Sequence, residues 1–446
     1  MVHDRLAPVP LTMPHKKRSP VVRALAPLRD FLHTEAAGGA LLVVAAVAAL
    51  VWANSPWSAS YINLWRSTAA IEIAGRGLSL DLRHWVNDGL MAIFFLIVGL
   101  EIKREMTSGH LAGRRAAALP VAAALGGMII PAAIYLAIAG GTEPMGWGVP
   151  MATDIALAVG VLALAGSGVP AKLRAFLLGL AVVDDIGAII VIAVFYSQGV
   201  SFSWLTVAAG ALAVLLVARQ WGVSQLGVYL AIGTTMWFAL HEAGVHPTLA
   251  GVICGLLTPV KPRQVQELID IEELSDLSTV EHARSTAAIA RNSVSTVEWL
   301  EHLLHPWTSY LIVPLFAFAN AGIEVSTDSM RDAFKSPIMW GVLAGLLVGK
   351  PLGVTLAVKL AERSGVACRP EGTTTRQLLG AGNAAGIGFT VAIFIAELAF
   401  DTEEHQADAK IAILIASMLS GMLAFAVLRS RSRASYRSAT LRGGVG

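Results

Sequence analysis

Twelve apolar runs recur along the chain, near residues 36–55, 86–103, 117–140, 147–166, 173–198, 203–219, 223–241, 246–260, 305–324, 338–361, 376–399 and 408–429. About 20 apolar residues in a helix cross the roughly 30 Å hydrocarbon core of a bilayer, so the pattern predicts an all-α polytopic membrane protein of about 12 transmembrane helices. Between the first two runs the period shortens. Ile71-Glu-Ile-Ala and Leu78-Ser-Leu-Asp-Leu alternate apolar with polar around Gly75-Arg-Gly, which predicts a small external β-hairpin over about residues 69–83. Two strands alone are marginal, so the hairpin either pairs with a second copy of the chain in a homodimer or packs on its own helices.

The fifth run is the one that the others are organised around. Leu173 to Tyr196 carries two adjacent carboxylates, Asp184 and Asp185, midway along an otherwise apolar helix. One acidic residue at such a depth costs about 2.5–3.5 kcal/mol on the insertion scale. Neighbouring carboxylates in a low-dielectric site resist ionising together and titrate as a coupled unit. A pair of that kind can exchange protons for a metal cation. A purely structural polar network does not need two charges.

Two other runs are interrupted. The fourth, Pro150-Met-Ala-Thr-Asp-Ile-Ala-Leu-Ala-Val-Gly160, sets Thr153 and Asp154 at mid-depth after a proline, and the eleventh, Gly380 to Thr390, holds four glycines with Asn383 and Thr390. Backbone that leaves the helix inside a membrane must be satisfied by protein or a water cavity. The breaks expose helix ends whose partial charges attract compensation, which Asp154 and Lys350 can supply. Asp154 either neutralises those dipoles or ligates an ion directly. Lys350, in Leu347-Val-Gly-Lys-Pro-Leu-Gly353, sits deep within a run and should pair with a carboxylate, as a structural counter-ion or as a titrating group. Runs three to five and ten to twelve each hold an ordinary, a charged and a broken helix, although in different order, which predicts inverted repeats with the site where they meet.

Composition agrees with a membrane chain. Of 446 residues 55% are hydrophobic and 14% charged, and the mean hydropathy is +0.65. Arg5, Lys16, Lys17, Arg18, Arg23 and Arg29 precede the first run without an early apolar stretch, which predicts a cytoplasmic N-terminal tail over 1–35 and no cleaved signal. Twelve passes return the C-terminal tail, 430–446, to the same side, and Lys and Arg then concentrate in the inner segments. The transmembrane domain is thus 36–429, with a cytoplasmic loop at about 261–304 bearing Glu267, Asp270, Glu272, Glu273, Asp276 and Glu281. Cys254 and Cys368 offer no disulfide framework. His302 lies at helical spacing from Glu298 and near His305, but these are too few ligands for a metal centre. The charges in Gly99-Leu-Glu-Ile-Lys-Arg-Glu-Met106 read as a solvated helix end or as a functional cluster. His246, beside Pro247, reads as a hydrogen-bonding residue at a helix end.

Several motifs, in order, resemble the NhaA family of bacterial sodium/proton antiporters: Gly99 to Glu105, Ala152-Thr-Asp-Ile-Ala156, Asp184-Asp-Ile-Gly-Ala-Ile-Ile190, Gly244 to Gly251, His305-Pro-Trp307, Pro314 to Gly322, Gly349 to Gly353 and Gly386-Ile-Gly-Phe-Thr390. The resemblance covers roughly 30–430. It implies an electrogenic, multi-pass transporter of the bacterial inner membrane, both termini cytoplasmic, that exports Na+ or Li+ for two protons in pH and sodium homeostasis. It implies no enzyme activity, no cofactor and no nucleic-acid partner; Na+, protons and membrane lipid are the partners. Carried over by motif, Asp185 is the principal cation and proton carrier and Asp184 its partner, paired with Lys350 in one state. Thr153 and Asp154 stand where the broken helices cross. Glu101, Arg104, Glu105, His246, Glu301, His302 and His305 match positions linked to pH response. The chain departs from the pattern at Glu298 and Trp299, where basic residues are expected, and its cytoplasmic loop is longer. Two readings compete: a passive cation channel, which builds its filter from symmetric rings, and an intramembrane aspartyl protease, which needs facing carboxylates. Adjacent residues on a helix diverge by about 100° and make a poor dyad.

Overall fold

A computed structural model describes residues 35–442 apart from 74–75, 110, 167–168, 198, 222, 224 and 261–294. The N-terminal tail, the acidic part of the cytoplasmic loop and the last four residues therefore lie outside the described residues. Each of the twelve expected runs falls on a helical segment. Among the described residues seven helices are long and apolar enough to cross a membrane, nine if each of two bent pairs is one span.

The first described helix, α1 (Glu35–Ala53), is followed by α2 (Ser58–Arg66) after a turn of 113°. On α2 Tyr61 and Trp65 are buried, whereas Ile62 and Leu64 are exposed. Tyr61 donates its hydroxyl to the carbonyl of Phe318 at 2.8 Å, which anchors this crosswise helix. Strands β1 (Thr68–Ile73) and β2 (Arg76–Asp81) pair antiparallel from Thr68↔Asp81 to Ile73↔Arg76, giving the expected hairpin.

A π-helical turn at Trp85–Leu90 leads into α3 (Met91–Thr107), and α4 (Arg114–Ala139) follows. The fourth span is a 3-10 helix at Pro144–Met151, an extended stretch over 152–154, and α5 (Ile155–Ala165). After α6 (Ala171–Phe195) come α7 (Phe202–Gln220), α8 (Leu226–Glu242) and the short α9 (Thr248–Leu257).

Helix α10 (Thr296–Trp307) begins inside the segment assigned to the loop, where Ser295 accepts the Glu298 N–H at 3.2 Å as an N-cap. A π turn at Thr308–Ile312 joins it to α11 (Val313–Asn320), and α12 (Thr327–Lys335) follows. The tenth span is α13 (Pro337–Ala344), a π turn at Gly345–Gly349 and α14 (Lys350–Arg363). The eleventh is α15 (Thr375–Ala385) and α16 (Phe389–Ala399), bent by 49°, and the chain ends in α17 (Glu403–Arg442).

Two of the π turns have the same cause. Each precedes a proline, Pro314 or Pro351, whose missing N–H leaves a carbonyl one turn earlier without its donor.

Small residues bring these elements close. A methyl group on Gly99 would stand 2.7 Å from the Val252 carbonyl oxygen, and one on Gly255 would stand 2.8 Å from the Leu100 nitrogen, so α3 and α9 meet backbone to backbone. Gly126 and Gly353 bring α4 against α14 in the same way. The outer surface carries exposed apolar residues such as Val44, Val51, Val194 and Leu360, as a lipid-facing surface requires. The molecule is a multi-pass membrane protein.

Candidate functional site

The two interrupted spans meet at their breaks, and their backbones are directly joined. The Asp154 N–H donates to the Ile387 carbonyl at 2.6 Å, and the Thr153 hydroxyl lies 2.8 Å from the Ala385 carbonyl at the C-terminus of α15. Asp154 is the hub. One of its oxygens accepts the Leu157 N–H at 3.1 Å, at the start of α5. The other accepts the Thr390 hydroxyl at 2.6 Å and the Thr390 N–H at 3.2 Å, at the start of α16. One carboxylate therefore caps two helix N-termini, where unpaired N–H groups and the helix dipole favour negative charge.

Lys350 answers the opposite ends. It is fully buried, and its Nζ donates to the carbonyl of Met151, the last residue of the 3-10 half-helix, and to Asp184 Oδ2 at 2.6 Å. Asp184 is 1% exposed, and the same Oδ2 accepts from the Thr153 hydroxyl at 2.6 Å. The other oxygen, Oδ1, is buried with no hydrogen-bond partner.

Asp185 differs from its neighbour. It is 7% exposed, and among the described residues it makes no hydrogen bond or ion pair; the charged groups acting on it are Asp184, Glu101, Asp154 and Lys350. The site thus offers an engaged acid, a disengaged acid and one orphan oxygen between them. Hard alkali cations are bound by such oxygens, and protons compete for the same ones. Nothing here is arranged as a hydrolytic dyad, since both oxygens of Asp154 are held by helix N–H groups and Asp184 is held by an ammonium.

The other seven expected residues separate into groups. Arg104 pairs with Glu301 through Nη1 and lies 3.7 Å from Glu105, so α3 and α10 are joined by charge at one end of the bundle. Glu101, one turn nearer the centre on α3, is under the influence of both Glu301 and Asp185. Glu301 is buried, with Oε2 unpartnered, and burial raises its carboxyl above the ordinary value of 4.5 against the pull of Arg104.

His302 and His305, on the same helix as Glu301, are exposed. His246 lies elsewhere, its ring 6.1 Å from that of Phe394 on α16, with Nδ1 buried and unpartnered rather than capping a helix end. No group of three or more His, Cys, Asp or Glu side chains among the described residues forms a metal-binding set.

Two buried hydroxyls at the crossing carry no charge and so leave no mark in a hydropathy pattern. Ser417 and Ser420, on α17, face the break in the eleventh span.

Comparison with known proteins agrees with this architecture. The family profile described as Na+/H+ antiporter 1 matches residues 29–428. The chain is 45% identical to the Na(+)/H(+) antiporter NhaA of Oleidesulfovibrio alaskensis, over 94% of this chain and 96% of that protein. It is 47% identical to Na(+)/H(+) antiporter NhaA 2 of Sorangium cellulosum, over 90% and 89%. It is 44% identical to the NhaA protein of Escherichia coli O139:H28, over 92% and 99%.

Proposed function

The chain belongs to the Na+/H+ antiporter 1 family, and we propose that it is a secondary active transporter that exports Na+ or Li+ in exchange for protons at Asp184 and Asp185. The single observation that carries this reading is the unequal state of two adjacent acids, one locked by Lys350 and Thr153, the other without a partner.

In this reading Asp185 holds either a proton or the cation. The orphan oxygen of Asp184 joins it as a ligand once Lys350 releases the other. Thr153 assists the change. Its one hydroxyl proton faces two acceptors, Asp184 Oδ2 and the Ala385 carbonyl. A proton taken up by Asp184 can be donated to Thr153, which frees the threonine proton for the carbonyl and Lys350 for the Met151 end. Two protons inward for each cation outward moves net charge, so exchange is electrogenic. The physiological task is pH and sodium homeostasis.

The rest of the proposal concerns placement: a bacterial inner membrane, both termini in the cytoplasm, the 261–304 loop on the same side, and a dimer formed through the hairpin. Positive charge in the inner segments supports the orientation.

The test is transport in sealed vesicles carrying an imposed pH gradient. Added Na+ is expected to dissipate the gradient, and more strongly when a permeant ion relieves the voltage. Asp185→Asn is expected to abolish the response while the protein still folds. Normal exchange by that variant would remove Asp185 from its role.

A further inference from the structure

The break in the eleventh span is held from a third side, by the last helix. Asp154 satisfies the N–H of Thr390, but the N–H of Phe389, the first of α16, lies outside its reach. That group donates instead to Ser417 Oγ on α17 at 3.2 Å, in a buried contact across 28 residues. One turn further along α17, on the same face, Ser420 is wholly buried and its hydroxyl has no partner. A methyl group on Gly386, at the break, would stand 3.0 Å from Ser420 Oγ, 3.1 Å from the Asn383 carbonyl oxygen and 2.7 Å from the Leu346 carbonyl oxygen.

Leu346 belongs to the π turn before Lys350. Lys350 returns its own N–H to Gly345 and Pro351 has none to give, so neither of these residues satisfies the Leu346 carbonyl.

We propose that Ser417 is a positioning residue for the exchange site, holding the N-terminus of α16 so that Thr390 meets Asp154. The inference rests on the antiport reading and extends it to a helix that carries none of the charged groups at the crossing. Ser417 touches no transported ion. It fixes the first N–H of the half-helix whose second residue supplies both donors to Asp154 Oδ2. Asp154 in turn donates its N–H across the break, next to the Thr153 that contacts Asp184. Loss of the Ser417 oxygen frees α16 to shift, and the misplacement reaches Asp184 through three hydrogen bonds. Ser420 provides the internal control, being buried on the same face with a hydroxyl that has no partner.

The experiment measures Na+-driven proton exchange in proteoliposomes across a Na+ titration, with thermal melting of the same preparations. Ser417→Ala is expected to raise the apparent KM for Na+ about 3- to 10-fold, the range of one lost hydrogen bond, with the maximal rate little changed. Ser417→Thr, which keeps the oxygen, should restore the wild-type KM. Ser417→Val has the shape of threonine without the acceptor and should behave like alanine. The threonine–valine comparison decides the matter if the alanine variant does not fold.

Ser420→Ala should leave KM unchanged. An unchanged KM in both Ser417→Ala and Ser417→Val, or an equal rise in Ser420→Ala, overturns the positioning role in favour of simple packing. Failure of the wild-type protein to exchange at all would defeat the antiport reading, a different outcome from failure of the serine variants alone.

Discussion

At the scale of single residues the site is decided by where charge can be left without a partner. Asp184 and Lys350 are both buried, and each is satisfied largely by the other. Removing one member of such a pair leaves an uncompensated charge, at a cost of about 3–5 kcal/mol. Lys350→Ala is therefore expected to lower the melting temperature. It should also move the pH profile of exchange toward alkaline pH, because a proton on Asp184 no longer competes with an ammonium for the same oxygen. A variant with unaltered melting and an unaltered profile would defeat the pairing.

Asp184, Asp185, Asp154 and Lys350 were all legible in the chain, since a charge in an apolar run is costly enough to demand a reason. Ser417 and Ser420 were not. A serine in a helix of this kind is unremarkable until the neighbouring break shows which N–H it faces.

Among the elements, glycine placement decides how near the helices approach. Helix α9 has only ten residues and is held against α3 by Gly251 and Gly255, with Gly99 opposite. Gly255→Ala would put a carbon 2.8 Å from the Gly99 carbonyl carbon, a contact that backbone must move to relieve. The cost of such overpacking is about 1–3 kcal/mol, so a melting temperature equal to wild type would show that α9 is free to move away.

The breaks in the fourth and eleventh spans were visible in their glycines, proline and polar residues. The form of the first was not. Its leading half is a 3-10 helix, because Pro144 and Pro150 with Gly146 and Gly148 leave little helix-forming backbone in eight residues. The 113° turn after α1 was equally hidden, since Asn54-Ser-Pro-Trp57 shows a stop without a direction.

For the whole molecule the proposal to test is that a charge cluster at one end acts on the centre. Arg104 and Glu301 join α3 to α10, and Glu101 interacts electrostatically both with that pair and with Asp185. A carboxyl raised by burial favours the folded cluster while protonated and loses that advantage as pH climbs from the ordinary glutamate value of 4.5 upward. Glu301→Gln is expected to flatten the pH dependence of both stability and exchange, and a pH–activity curve superimposable on wild type would separate this cluster from regulation. His302 and His305, exposed on the same helix, match the family pattern at positions linked to pH response.

At the same scale, the proposed dimer through the hairpin is tested by deleting it. Deleting residues 69–80 is expected to convert the detergent-solubilised protein to monomer by light scattering, and a persisting dimer would place the interface elsewhere.

The carboxylate that unites the two broken spans has a consequence for how the molecule is made. Asp154 and Thr390 are 236 residues apart, so the ribosome delivers the acceptor long before either donor from α16 exists. Until the final quarter of the chain has been inserted, the fourth span stands in lipid with its acid half answered. The transporter is therefore finished only when its last helices arrive.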